Sequence, residues 1–383
     1  MRILTVLESP SWVDHHIVGS LEELGHTVHQ FSYGQCVGEF YGRARHDEQK
    51  SKNIQLFELA KSLLHSDGLD LIFCYVYDDF LLPEFAKALA DLDVPMVNYN
   101  VDMVNQWYRQ IRTAKYFTRI LCAQRVNMEN MARYEAKVMY FPMAARSPTT
   151  LHVAEDQWQP AAPVTFVGTP MLYRTEILRR LHKAGVPLAI YGKYWMEQRQ
   201  AAAEHNIEKT FSDLHHYALA KFRAEGISGF MRALSARLPN RKIEPQLVAS
   251  EQLPPHLIHG FVPNGSMSAM FSHSKINLGF NRMMGSDPDI AGVNQIKLRD
   301  FEVPMAGGFY LVEKSPDYDS LFIPGCEIET WSNTGELLEK IQYYLEHDTE
   351  REAIAGAAKI RAQAEHTWGH RFQKLFDELG ISA

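Results

Sequence analysis

Charged side chains of both signs cluster just before a pair of glycines near residue 300. Lys297, Arg299 and Glu302 fall within two helical turns, and Gly307-Gly308 separate them from the apolar run that follows. A carboxylate at Glu302 can accept hydrogen bonds from two ribose hydroxyls, while the basic groups can meet diphosphate charge. This combination fits a sugar-nucleotide site. It also fits a helix with surface charges and a glycine at its end, and the spacing alone leaves both interpretations open.

Candidate proton acceptors for a hydroxyl substrate lie in the first third of the chain. His15 and His16 open a predicted helix, and Asp102 follows a predicted strand. Histidine and aspartate both take up protons in active sites, so His16 and Asp102 are candidates for that role. Exposure beside a helix start explains the histidines as well, and helix capping explains Asp102 as well, so these alternatives stay open.

Two pairs of aspartates have the spacing of a metal-binding motif. Asp287 and Asp289 form one pair, and Asp317 and Asp319 form the other. Both pairs fall in segments rich in glycine and proline, where such spacing recurs by chance. We therefore expect no essential metal and no cofactor.

The elements that must position these residues alternate between strand and helix. In the first part of the chain, strands are predicted at Ile3–Leu7, Thr27–Phe31, Leu69–Val76, Pro95–Tyr99 and Arg119–Ala123, and helices at Asp14–Leu24, Pro83–Leu92 and Trp107–Phe117. Short apolar strands separated by helices predict a parallel sheet that is covered on both faces.

A second strand–helix series follows a stretch at 149–163 that lacks periodicity and is predicted to be a linker. Its predicted strands are Val164–Val167, Leu188–Tyr191, Lys275–Leu278 and Gly308–Val312, with a helix at Glu176–Ala184. The predicted fold class is α/β, with domains at 1–150 and 151–370 and a carboxyl-terminal helix within 371–383.

A helical insert is predicted at 196–258 in the second domain, and its stretch 221–242 is strongly basic. A solvated helix face explains the charge. Contact with an anionic acceptor, a membrane surface or nucleic acid explains it as well.

Composition excludes several classes of protein. The chain has 383 residues, of which 46% are hydrophobic and 22% charged, as in a globular protein with more than one core. The net charge of −7 provides no global positive field for a polyanion. Four dispersed cysteines without a C-x-x-C pair fit reduced thiols, and the first apolar run is too short for a signal peptide or a membrane span. We expect a cytoplasmic protein.

Four segments in a fixed order resemble one known family. They are Thr165-Phe166-Val167-Gly168 followed by Arg174, then Ile276–Asn281, Arg299–Glu302 and His366–Arg371. Together they are similar to the CgeB-type bacterial glycosyltransferases, of the GT-B group related to retaining glycosyltransferase family 4. The resemblance covers 164–375 except the insert. It is looser in the first half, where Asp70–Phe73 and Val97–Asp102 carry it.

The resemblance implies two Rossmann-like domains that face each other across a cleft, with the acceptor on the first domain and a nucleotide-sugar on the second. It also implies that the carboxyl-terminal helix within 371–383 crosses back to the first domain. It implies that Glu302 binds the ribose. Asn294 stands where retaining relatives have another glutamate, and its amide can bond a sugar hydroxyl. The expected donor-binding residues are Gly168, Arg174, Asn281, Lys297, Arg299, Glu302 and Gly307, and the expected catalytic residues are Asp102, His16 and Asn294.

The expected activity is transfer of a sugar from a nucleoside diphosphate-sugar to an unidentified acceptor, without a metal and, by kinship, with retention of configuration. The acceptor classes left open are a glycan, a lipid-linked molecule, a protein and a nucleic acid. Two alternatives also remain: a non-catalytic nucleotide-sugar or glycan-binding protein with this fold, and a sugar-nucleotide epimerase.

Overall fold

The chain forms two compact units in the computed structural model. The described residues are 1–7, 12–34, 43–146, 158–192, 195, 218, 221–222, 225–231, 253–282 and 294–381. The first unit comprises Met1–Arg146, Leu219–Gly226 and Trp368–Ala383, and the second comprises Ser147–Ala218 and Ile227–Thr367. Most of the predicted basic insert, including Arg223, Arg232, Arg237, Arg241 and Lys242, lies outside the described residues.

The first unit contains a six-stranded parallel sheet. Its strands are β1 (Arg2–Leu7), β2 (Thr27–Ser32), β3 (Leu71–Tyr75), β4 (Met96–Asn100), β5 (Arg119–Cys122) and β6 (Val138–Tyr140). They are arranged in the order β2-β1-β3-β4-β5-β6. Strands β1, β3, β4 and β5 are almost entirely buried, which is why they read as continuous apolar runs.

Helices connect these strands. A π-helical turn at Asp14–Val18 precedes α1 (Gly19–Glu23), and the others are α2 (Arg43–Ser66), α3 (Pro83–Ala90), α4 (Met103–Gln106) and α5 (Val126–Ala132). Pro83 is well placed at the start of α3, because its missing N–H would have no helical partner there and its φ angle is already helical.

No helix spans Trp107–Phe117 as predicted; two short 3-10 turns lie there instead. The buried carboxylate of Asp78 accepts hydrogen bonds from the backbone N–H groups of Arg112 (2.9 Å) and Thr113 (3.1 Å). Because a side chain from another segment takes these donors, they do not join a helical hydrogen-bond ladder.

The second unit contains a five-stranded parallel sheet in the order β11-β10-β9-β7-β8. Its strands are β7 (Val164–Val167), β8 (Leu188–Tyr191), β9 (Ile276–Gly279), β10 (Tyr310–Glu313) and β11 (Glu329–Trp331). Its helices include α6 (Leu172–Lys183), α7 (Met267–His273), α8 (Arg299–Ala306), α9 (Thr334–Glu346) and α10 (Asp348–Glu365). Both units therefore have the predicted parallel α/β architecture.

The last helix, α11 (Trp368–Leu379), belongs to the first unit and begins three residues before the predicted start. Its apolar residues Trp368, Phe372 and Phe376 recur every fourth position and are buried. The Phe372 ring lies 5.9 Å from that of Phe73 on β3, and the Trp368 ring lies 6.0 Å from that of Tyr99 on β4. The helix therefore covers one face of the first sheet.

Candidate functional site

The second sheet extends in two directions from a point between β7 and β9. Strand β8 lies on one side of β7, while β9, β10 and β11 follow on the other side. Parallel α/β sheets bind ligands beyond the carboxyl ends of their strands at such a switch point. Gly168 directly follows β7 and Asn281 comes shortly after β9, so the structure places both at this point.

Gly168 packs tightly against the strands beside it. Its N–H donates to the Tyr191 carbonyl at 3.0 Å, and its own carbonyl accepts from the Trp195 indole N–H at 2.7 Å. A Cβ at this position would lie 2.8 Å from the Phe166 ring. A Cβ at Gly192, whose φ is +150°, would clash with the Gly168 carbonyl oxygen. Close backbone packing therefore accounts for both glycines.

Two basic side chains converge on the carbonyl oxygen of Phe280, just beyond β9. The Arg174 guanidinium donates to it at 3.3 Å, and the Lys297 ammonium donates at 2.6 Å. Arg174 also donates to the Thr169 carbonyl at 3.0 Å and is only 6% exposed. Among the described residues no carboxylate lies within ion-pair distance of Arg174. Its charge is thus held at the switch point by neutral partners and remains able to attract an anion.

A fully buried carboxylate, Asp300, fixes the segments that carry these residues. It accepts hydrogen bonds from the Lys297 backbone N–H (2.8 Å), the Asn281 amide (3.1 Å) and the Tyr310 hydroxyl (2.6 Å). Tyr318 contacts the same amide. Burial raises the pKa of Asp300, while the hydrogen bond from Tyr310 opposes that rise. The segment after β9, the start of β10 and the start of α8 are therefore tied to one group.

Glu313 holds the chain just after β9. Its carboxylate accepts from the backbone N–H groups of Asn281 (3.2 Å) and Arg282 (3.0 Å), and the Arg282 guanidinium pairs with it at 2.9 Å. Asn294 pairs with Arg282 through an isolated antiparallel β-bridge. Its side-chain amide donates to the Lys314 carbonyl. The structure thus brings Asn294 to the carboxyl end of β10, where a backbone contact engages its side chain.

Glu302 and Arg299 form an ion pair in the first turn of α8. The side chain of Glu302 is 17% exposed and that of Arg299 is 33% exposed. The Arg299 guanidinium also lies over the Phe271 ring of α7, 5.5 Å from its centre. Arg299 therefore contacts Glu302 directly, and its contact with a diphosphate stays a prediction. Glu302 lies at the same end of α8 as Lys297 and Asp300.

Gly307 lies at the opposite end of α8 from the other predicted donor-binding residues. Its φ of +80° is left-handed, its N–H donates to Pro304, and the Gly308 N–H donates to Val303. These two bonds form a Schellman helix end, the structural alternative that the spacing had left open. The structure does not bring Gly307 to the switch point, and helix termination accounts for the residue.

The two proton-acceptor candidates lie in the first unit. His16 is buried in the π-helical turn after β1, and its ring lies 5.9 Å from Trp12 and 6.5 Å from Trp368. Asp102 follows β4, and its carbonyl accepts from the Gln106 N–H at 3.1 Å. Both lie at the carboxyl edge of the first sheet, but β3 separates β1 from β4. The strands that precede the two residues are therefore not adjacent in the sheet.

Sequence reasoning assigned no role to Asp300, Tyr310, Glu313 or Gly192. Asp300 could have been identified because it lies in the same helical turn as Lys297 and Glu302, on the buried side of the helix. Glu313 was detectable as a carboxylate ending an otherwise apolar strand. No local pattern marks Gly192, because its requirement arises from contact with Gly168.

The described part of the chain contains no group of three or more histidine, cysteine, aspartate or glutamate side chains suited to a metal ion. Asp317 and Asp319 lie in a 3-10 turn, Pro316–Ser320, while Asp287 and Asp289 fall outside the described residues. No described helix is long and apolar enough to span a membrane.

Comparison with known proteins gives a family-model match over part of the chain and a match in fold over nearly all of it. Residues 228–377 match a family model described as glycosyl transferase-like. No curated protein matches the chain.

Three solved structures illustrate the fold. Sucrose-phosphate synthase from Thermosynechococcus elongatus has 11% identity and a TM-score of 0.56, with 99% of each chain covered. Anabaena HepE in complex with UDP and glucose has 11% identity and a TM-score of 0.55, with 99% of each chain covered. A Rickettsia africae glycosyltransferase has 11% identity and a TM-score of 0.52, covering 98% of this chain and 97% of the other. These similarities confirm the GT-B fold.

Proposed function

We propose that the chain is a GT-B glycosyltransferase that transfers a sugar from a nucleoside diphosphate donor to an acceptor hydroxyl, with retention and without a metal. Its nearer kinship is to the CgeB-type enzymes. The observation that carries the proposal is the convergence of Arg174 and Lys297 on one carbonyl at the switch point of the second sheet, at the end of α8 that bears Glu302.

The donor diphosphate fits this positive edge. Transfer requires charge to develop on the leaving diphosphate, and fixed cations stabilise that charge without reorganising during the reaction. Arg174 is held by two carbonyls and Lys297 by a third contact, so both keep their positions before a ligand arrives. Basic groups that stabilise the leaving diphosphate therefore matter more in this step than a protein nucleophile does.

Glu302 is proposed to accept hydrogen bonds from the ribose hydroxyls, with Arg299 orienting its carboxylate. Asn281 is held by Asp300 and Glu313 and supports the backbone next to the donor. Asn294 is proposed to bond a sugar hydroxyl, which requires its amide to exchange the Lys314 carbonyl for the ligand.

The acceptor is proposed to bind at the carboxyl edge of the first sheet. Asp102 or His16 would there remove a proton from the attacking hydroxyl. Because Anabaena HepE was solved with UDP and glucose, we propose UDP-glucose as the first donor to test.

Calorimetric titration with UDP tests the donor site. Glu302→Gln is expected to weaken UDP binding by about tenfold or more, because charge-assisted bonds to the ribose hydroxyls become ordinary ones. The matched control is Glu339→Gln, which alters an exposed glutamate of the same unit. An unchanged UDP affinity in Glu302→Gln, or an equal loss in the control, contradicts the assignment.

Incubation with UDP-glucose in the absence of acceptor separates the proposed enzyme from its alternatives. A transferase releases UDP slowly because water replaces the acceptor, and Arg174→Ala is expected to suppress that release. Donor binding without any released UDP, even when acceptors are supplied, indicates a binding protein. Isomerisation of the donor sugar without acceptor indicates an epimerase.

A further inference from the structure

A cleft of about 450 Å³ opens in the first unit between the start of α3, the 3-10 turn Ala114–Tyr116 and the end of α5. The cleft is shallow and widely open to solvent. None of its lining residues belongs to the donor-binding or catalytic candidates. The lining that matters for recognition is Arg112, Lys115, Arg133, Glu135, Tyr116 and Tyr134.

The charge of this cleft is positive although the whole chain is acidic. Three basic side chains and one carboxylate line it, while the chain carries a net charge of −7. Arg133 pairs with Glu129 at 2.8 Å. Within the described residues, neither Arg112 nor Lys115 forms an ion pair, so their charges remain available to an anion.

The backbone that carries Arg112 and Lys115 is fixed before any ligand binds. Asp78 accepts from the Arg112 N–H at 2.9 Å, and it also accepts from the Thr113 hydroxyl at 2.6 Å. The Tyr116 N–H donates to the Thr113 carbonyl at 2.9 Å. Both charged side chains therefore project from an ordered turn, which lowers the entropy cost of binding.

Aromatic surface completes the cleft. Tyr116 and Tyr134 are half-buried in its wall, and the Trp107 ring supports Tyr134 from 6.0 Å away. The Lys115 ammonium lies 5.5 Å from the centre of the Tyr116 ring. A ligand that combines an anion with a flat or ring-shaped body would meet both the basic groups and a tyrosine ring.

We propose that this cleft binds a phosphate monoester, with Arg112 and Lys115 holding the phosphate and the tyrosines contacting the attached ring. The ring can belong to an aromatic ester or to a sugar. All of the residues that line this site belong to the first unit.

Titration calorimetry with phenyl phosphate, ribose 5-phosphate and inorganic phosphate tests the proposal. The wild type is expected to bind one ester saturably and more tightly than inorganic phosphate. Combined Arg112→Gln and Lys115→Gln substitutions should weaken that binding by about tenfold or more, since charge-assisted contacts are lost. Both residues are exposed, so the variant should fold normally. The ester that binds more tightly shows whether the cleft prefers an aromatic ring or a sugar ring.

Two controls locate the effect. Lys137→Gln removes an exposed charge of the same unit outside the cleft, and Lys297→Ala alters the proposed donor site; neither should change ester affinity by more than about twofold. The proposal is overturned if no ester saturates the wild type, if the double variant binds as well as wild type, or if Lys137→Gln causes an equal loss. Equal affinity for inorganic phosphate and both esters overturns the role of the tyrosines.

Discussion

At the residue scale, Asp78 shows how one buried carboxylate organises a segment distant in sequence. Three donors from Arg112 and Thr113 bind it, and these bonds replace the helix that local sequence predicts there. Burial raises the pKa of Asp78 from 3.8 to about 7, although the hydrogen bond from Thr113 favours the ionised form. Burial therefore destabilises the ionised form of Asp78, the same residue that fixes the turn through its hydrogen bonds.

The stability of the first unit should consequently decrease with rising pH between about 4 and 7. In that window the folded state holds a proton on Asp78 that the unfolded state has lost, so the free energy of unfolding falls by up to about 1.4 kcal/mol per pH unit. Asp78→Asn removes this contribution. Urea unfolding across the window should show a shallower pH slope for Asp78→Asn than for wild type or for the exposed-site control Asp67→Asn; parallel slopes contradict the prediction.

At the element scale, the buried strands of both sheets were predictable because each is a short apolar run between polar turns. The predicted β1 begins at Ile3, one residue after the observed start at Arg2. The predicted β7 begins and ends at the observed residues. Helix α2 was missed because its first half is polar and lacks an apolar period. The short edge strands β6 and β11 were missed because three residues give no pattern.

Within the candidate site, residues that directly follow apolar strands were predictable, whereas residues defined by contacts between elements were not. Gly168 and Asn281 belong to the first kind, and Asp300 and Gly192 belong to the second. Gly307 was assigned to donor binding because sequence does not show which end of α8 points to the ligand edge.

Two glycine substitutions separate these cases. Gly192→Ala would clash with the Gly168 carbonyl, so the ends of β7 and β8 must shift, and both stability and UDP affinity should fall. Gly307→Ala should cost about 1 kcal/mol through its left-handed φ, because the nearest atom is the flexible Lys359 side chain at 3.2 Å. UDP affinity should stay unchanged in Gly307→Ala. Equal losses of UDP binding in the two variants would return Gly307 to the donor site.

At the scale of the whole molecule, the first unit includes a helix that follows the second unit in the sequence. Helix α11 follows α10 directly in sequence, yet it packs against β3 and β4 of the first sheet. The N–H of Trp368 donates to the Ala145 carbonyl at 3.1 Å, and Arg119 pairs with Glu378 at 2.9 Å. The core of the first unit therefore depends on residues at both ends of the chain.

Removing one ring from α11 should therefore destabilise strands that are more than two hundred residues away in sequence. Phe372 is fully buried between Phe73 and Phe141, so Phe372→Ala should lower the stability of the first unit by about 3–5 kcal/mol. Hydrogen exchange should then accelerate in β1, β3 and β4, while β9 and β10 keep their protection. Phe301→Ala, which removes an equally buried ring from α8, should give the reverse pattern. Faster exchange in β9 and β10 than in β3 for Phe372→Ala would show that α11 stabilises the second unit instead.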